Sequence, residues 1–81
     1  MQEQELIRAY TQKLISVFEK MPVIGETDPN DREAVREIGW EIYGSDIARG
    51  MRKVAEAFAA EMPYHARRLD MLWDGVGSWM G

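Results

Sequence analysis

The side chains with the greatest capacity for chemistry are one histidine and three glutamates. His65 is the only histidine of the chain, and Glu33, Glu37 and Glu41 are spaced so that they stack on one face of a helix. Carboxylates and an imidazole suit iron, manganese or zinc in helical bundles. The Glu-x-x-His pattern of di-iron bundles is absent, and such glutamates are usually a solvated surface. A metal or anionic-ligand site is therefore kept only as an alternative, with candidate residues Glu37, Glu41, His65 and Arg67.

The sequence contains no recognisable catalytic motif. His65 has the chemistry of a general base and Ser45 or Ser78 that of a nucleophile, but no spacing supports a triad. Ser45 is better explained as a helix cap and Ser78 as a loop residue. The short glycine run at residues 75–77 follows a predicted helix and lacks the lysine of a phosphate loop. The sequence therefore leans against enzymatic activity but leaves it open, and we assign neither a cofactor nor a metal.

Two adjacent arginines, Arg67 and Arg68, lie in the first half of the last predicted helix, ahead of two aspartates. This order is the reverse of the one that the helix dipole favours. The stacked glutamates of the second predicted helix are also unfavourable, because like charges at this spacing repel, and their charge is opposite to that of the arginines. A contact between the arginines and the glutamates would offset both unfavourable arrangements. We therefore predict a structural ion pair between Arg67 or Arg68 and Glu37 or Glu41.

A basic cluster gives a second alternative. Residues 43–49 (YGSDIAR) resemble the turn and second-helix start of a helix-turn-helix, and Arg49, Arg52 and Lys53 follow on one predicted face. The resemblance implies a regulator that binds nucleic acid through these three residues. Glu56 partly neutralises the cluster, and the predicted helix runs on where that motif would have a second turn.

The aromatic residues favour a different function. The chain has three tryptophans and three tyrosines, and each tryptophan brings an area on the order of 200 Å² that a small core cannot easily bury. Tryptophan and tyrosine are enriched at protein interfaces. We therefore predict a protein-interaction module that associates with itself. Trp79, which lies beyond two glycines, is the first interface candidate and Trp40 the second, with Trp73 and Tyr43 as further candidates.

Composition is consistent with a small folded domain. Of the 81 residues, 46% are hydrophobic and 30% charged, and the net charge of -4 does not favour nonspecific nucleic-acid or anionic-membrane binding. There is no cysteine, which removes disulfides and thiolate sites from consideration. The first residues are polar and acidic, unlike a signal peptide, and no apolar run has the length of a membrane span. A cytoplasmic location is expected.

Apolar spacing predicts a first helix over residues 3–21. Pro22 is expected to stop it, because proline lacks a backbone donor and restricts the residue before it. In the loop that follows, Val23 and Ile24 are apolar and are expected to pack under the bundle.

The second helix has the clearest start signal. Thr27 or Asp28 is a suitable cap, and proline follows in the first turn. The apolar stripe runs over residues 29–43, with Gly39 on the packed side, where a neighbouring element can approach closely. Gly44 is expected to end the helix.

A third helix is expected from a cap at Ser45 to about Glu61, and a closing helix begins at Pro63. Gly75 and Gly77 leave open whether helix continues beyond them. The closing segment carries one apolar stripe, formed by Leu69, Leu72, Val76 and Trp79. The predicted fold is an all-α four-helix bundle of three long helices and a shorter closing helix, in one domain over residues 1–81.

Overall fold

The computed structural model describes residues 2–22 and 25–79, which form an all-α bundle of four helices with no strand among them. The predicted fold class is confirmed. Within the described ranges, no helix combines the length and apolar character that a membrane crossing requires. The elements in chain order are α1 (Glu3–Phe18), α2 (Pro29–Tyr43), α3 (Gly50–Glu61), a 3-10 turn (Pro63–His65) and α4 (Ala66–Trp73).

The first helix is shorter than predicted. It ends at Phe18, and the next residues form a turn in which the Met21 amide donates to the Phe18 carbonyl. Met21 is still buried, so its apolar side chain belongs to the core although its backbone does not belong to the helix. The predicted packing of Val23 and Ile24 lies outside the described residues.

The start of α2 is as predicted. The Asp28 carboxylate accepts a hydrogen bond from the Asn30 amide at 2.8 Å, and Pro29 occupies the first helical position. The helix ends at Tyr43, with Gly44 as its C-cap. It packs against α1, α4 and α3.

The predicted start of α3 at Ser45 is wrong, because the helix begins at Gly50. Ser45 instead hydrogen-bonds to the end of α2, because its hydroxyl donates to the Ile42 carbonyl at 2.6 Å. Ile47 is buried in the connecting turn, and Arg49 adopts a left-handed conformation with φ of 56°. A side chain at Gly50 would lie 2.9 Å from Ile42, so the turn closes onto the core at this glycine.

The core lies between the helices and has an aromatic centre. Phe18 of α1 and Phe58 of α3 are fully buried, with ring centroids 4.7 Å apart. α1 packs on both α2 and α3, and α2 also contacts α3 and α4. The other fully buried large side chains are Leu14, Val35, Ile42, Val54, Leu69, Trp73 and Val76.

The closing segment changes direction after Trp73. Gly75 and Gly77 have φ of 86° and 56°, which end the helix rather than carry it to Trp79. Pro63 begins a 3-10 turn, so α4 itself starts at Ala66. The turn of residues 74–79, called here the C-terminal turn, folds back over the end of α2.

Candidate protein-interaction surface

Two aromatic side chains on the outer side of α2 remain open to solvent. Trp40 is 50% exposed and Tyr43 53% exposed, and their rings meet edge to face with centroids 5.9 Å apart. Their spacing of three residues places them one turn apart on the same side of the helix. Trp40 and Tyr43 are called the aromatic patch below.

The C-terminal turn supports the aromatic patch from one side. A side chain at Gly77 would lie 2.5 Å from the Tyr43 ring, a distance that real atoms do not tolerate. Gly77 therefore provides both the positive φ of the turn and the room for the tyrosine. Tyr43 is held by this contact, which reduces the rotamer freedom that it would lose on binding a partner.

The other two predicted interface tryptophans point inward. Trp73 is fully buried, and its indole donates to the Val35 carbonyl of α2 at 2.9 Å, so its assignment to the interface is corrected. Trp79 is partly buried and packs on Trp73, with centroids 5.2 Å apart. Its indole nitrogen is buried without a hydrogen-bond partner among the described residues. The bundle makes room for Trp73 at Gly39, whose close approach to a neighbour was predicted.

The predicted ion pairs between the last helix and α2 do not form among the described residues. Glu41 is paired with Lys13 of α1 at 3.5 Å, and Glu37 is exposed. Arg68 donates to the backbone carbonyls of Pro22 and Gly25, and Arg67 is exposed. The two arginines therefore lie on the side of α4 that faces these two residues and solvent, rather than over the glutamates of α2.

A different arginine connects α2 and α4. Arg36 donates from one guanidinium nitrogen to the Leu72 carbonyl at 2.7 Å and to the Asp74 carbonyl at 3.0 Å. These bonds satisfy carbonyls at the end of α4, where a helix lacks internal partners. Sequence reasoning missed this residue. The only hint in the sequence is that Arg36 is a positive charge one turn before Trp40 on a helix rich in glutamate.

His65 belongs to the core rather than to a polar site. It is buried against the Phe18 ring, with centroids 5.4 Å apart, and its Nδ1 has no hydrogen-bond partner in the described part of the chain. Burial, aided by the nearby Arg68 charge, lowers the pKa of His65 below its usual value of 6.5. The described residues contain no group of three side chains able to share a metal ion, so the structure does not assemble the alternative metal site.

The three basic residues of the nucleic-acid alternative are divided between two surfaces. Lys53 bonds to Glu3 of α1 at 2.8 Å, whereas Arg49 and Arg52 line a groove of about 570 Å³ between α3, α4 and the C-terminal turn. The late start of α3 also leaves six residues, 44–49, between it and α2. That connection is longer than the three- or four-residue turn typical of a helix-turn-helix.

Comparisons with protein-family models, curated proteins and solved structures find no match to this chain. By its fold, the chain is a small four-helix bundle, and its most distinctive surface is the aromatic patch on α2. A proposal for function therefore rests on the residues and contacts of this chain.

Proposed function

We propose that the chain is a protein-interaction module that associates with itself through the aromatic patch. The observation that carries the proposal is the half-exposed, edge-to-face pair of Trp40 and Tyr43 on the outer side of α2. Aromatic side chains of this kind are typical anchors of interfaces, because they bury a large area with few rotatable bonds. Association of two copies would cover both patches at once.

The size of the patch predicts weak association. Each ring exposes an area of about 100 Å², whereas a stable interface buries about 800 Å² on each partner. Neighbouring residues of α2 and the connecting turn must therefore contribute, and a dissociation constant in the micromolar range or above is expected. The chain would then exchange between monomer and dimer as its concentration changes.

The test is the molar mass in solution, measured by light scattering over a dilution series around the micromolar range. We expect the mass to rise from that of a monomer to that of a dimer. Trp40→Ala should raise the dissociation constant by about tenfold or more, because it removes the larger anchor. The variant should remain folded, since half of the side chain is already in solvent.

The matched control is Tyr64→Ala. Tyr64 is 84% exposed, but it lies on the 3-10 turn before α4 rather than on α2. Its loss should leave the dissociation constant unchanged. A native chain that stays monomeric at every concentration, or equal effects of the two substitutions, would contradict self-association through the aromatic patch.

A further inference from the structure

The groove between α3, α4 and the C-terminal turn has Trp79 as part of its wall. The indole ring is partly buried and meets the Trp73 ring edge to face, with centroids 5.2 Å apart. Apolar side chains line the same groove, among them Met51, Ala55 and Leu69. The charged residues that line it are two arginines and two acidic residues, whose charges balance. Apolar contact, rather than charge, therefore holds the Trp79 ring in this position.

The indole nitrogen of Trp79 lacks a hydrogen bond. It is buried, yet no acceptor lies within reach of it among the described residues. The neighbouring Trp73 differs, because its indole donates to the Val35 carbonyl at 2.9 Å. A buried donor without a partner loses the hydrogen bond that water would otherwise provide. Burial of the Trp79 ring is therefore opposed by its own N–H group.

The backbone around Trp79 is bonded mostly within its own segment. The Val76 amide donates to the Trp73 carbonyl at 2.8 Å, and the Trp79 amide donates to the Val76 carbonyl at 3.0 Å. The hydrogen bond that reaches the C-terminal turn from α2 ends at its first residue, Asp74. Val76 is fully buried, and Gly77, with φ of 56°, separates it from Trp79. The turn therefore has a fixed point at Val76 and a conformationally free residue directly after it.

We propose that Trp79 is a reversible latch, which leaves the groove by backbone rotation at Gly77 while Val76 and the four helices stay in place. A glycine absorbs such a rotation because it has no side chain to restrict it. Opening hydrates the indole N–H, uncovers the Trp73 ring and widens the groove. This equilibrium is a property of a single copy and does not depend on the proposed self-association.

Hydrogen exchange of the indole N–H groups, followed by nuclear magnetic resonance, tests the latch. Both the Trp79 and the Trp73 indole nitrogens are buried, so each must become exposed before its hydrogen exchanges. Trp79 should exchange about a hundredfold faster than Trp73, at a rate that low urea concentrations do not change, because local opening exposes little surface. Equal rates with the same urea dependence would mean that Trp79 leaves only when the bundle unfolds, and would overturn the inference.

The Val76 amide locates the hinge in the same experiment. Relative to its intrinsic rate, it should exchange much more slowly than the Trp79 amide, because rotation at Gly77 leaves the Val76 bond to the Trp73 carbonyl intact. Equally fast exchange of the two amides means that the whole C-terminal turn opens, and the latch is then wrong. The Trp40→Ala chain should show the same pattern, so the test does not require self-association.

A ring without a donor tests the cause of opening. In a chemically synthesised chain, benzothienylalanine in place of Trp79 keeps the shape of the ring but has sulfur where the indole has N–H. The backbone amide of this residue should then exchange about tenfold more slowly than that of Trp79, because burial of the ring no longer leaves a donor unpaired. Unchanged exchange contradicts the inference, because the missing hydrogen bond would then not govern opening.

The matched control is the same replacement at Trp73. It removes the hydrogen bond to the Val35 carbonyl and should lower the urea midpoint of unfolding. The replacement should therefore destabilise the bundle at Trp73 and stabilise the closed state at Trp79. Effects of the same sign at the two positions would show that the change of ring, rather than the N–H group, is responsible, and the latch would be rejected.

Discussion

At Gly39, α2 lies directly against Trp73 of α4 and Val76 of the C-terminal turn. An added Cβ there would lie 2.7 Å from the Trp73 indole nitrogen and 3.0 Å from Val76. Gly39→Ala should therefore lower the free energy of unfolding by about 1–2 kcal/mol, because overpacking of about 1–3 kcal/mol outweighs the better helix propensity of alanine. Urea unfolding followed by circular dichroism measures the change.

Gly44 provides the matched control for this substitution. It has a right-handed helical conformation, and an added Cβ would meet only backbone oxygens at 3.5 Å or more. Gly44→Ala should change the free energy of unfolding by no more than about 0.5 kcal/mol. Equal stability of the two alanine variants would show that Trp73 does not pack over Gly39.

His65 predicts a dependence of stability on pH. Its pKa is lower in the folded chain than in the unfolded chain, because burial and the Arg68 charge disfavour the charged imidazole. As the pH falls below the unfolded value of 6.5, the unfolded chain takes up a proton before the folded chain does. The free energy of unfolding should therefore be highest above that pH and fall as the folded-state pKa is approached.

The measurement is urea unfolding at several pH values between about 7 and 5, where the carboxylates are still largely ionised. His65→Leu should remove most of the slope, because the chain has no other histidine. A slope of the same size in His65→Leu would assign the effect to other groups.

At the scale of the elements, Arg36 holds the end of α4 against α2. Arg36→Gln should lower the free energy of unfolding by about 1–3 kcal/mol, because two charge-assisted hydrogen bonds to the Leu72 and Asp74 carbonyls are weakened. Hydrogen exchange should accelerate at the amides of Val76, which donates to the Trp73 carbonyl, and Trp79, which donates to the Val76 carbonyl.

Arg32→Gln is the control for this prediction. Arg32 lies one turn earlier on the same helix and is exposed, and its side chain makes no hydrogen bond to another described residue. Its replacement should leave both stability and exchange in the C-terminal turn close to those of the native chain. Faster exchange in both variants would mean that the helix charge, rather than the two hydrogen bonds, stabilises the turn.

The order of the helices follows from the sequence, but some of their ends do not. Asp28 and Pro29 act locally, so the start of α2 is readable from the residues themselves. Ser45 has the chemistry of an N-cap but bonds backward to Ile42, because burial of Ile47 holds the connecting turn against the core. A tertiary contact therefore decides where α3 begins, and local propensity does not reveal it.

At the scale of the whole molecule, the sequence predicts a surplus of aromatic surface but not which rings form it. Trp40 and Trp73 are both adjacent to apolar stripes. Gly39 leaves room for Trp73 inside the bundle, whereas Trp40 remains half-exposed. The ion pairs were mispredicted for a similar reason. Long charged side chains reach several neighbours, and Glu41 lies beside Lys13 once α1 packs on α2.

The three tryptophans occupy three different environments, so intrinsic tryptophan fluorescence can report on three parts of the chain without a label. Trp73 is fully buried in the core, Trp79 is partly buried against Trp73 within the C-terminal turn, and Trp40 is half-exposed on α2. We therefore expect the emission of Trp73 to lie furthest to the blue and that of Trp40 furthest to the red, with Trp79 between them, so that each reports on a different part of the bundle. Loosening of the turn and contact at the surface can thus be distinguished in one unlabelled sample.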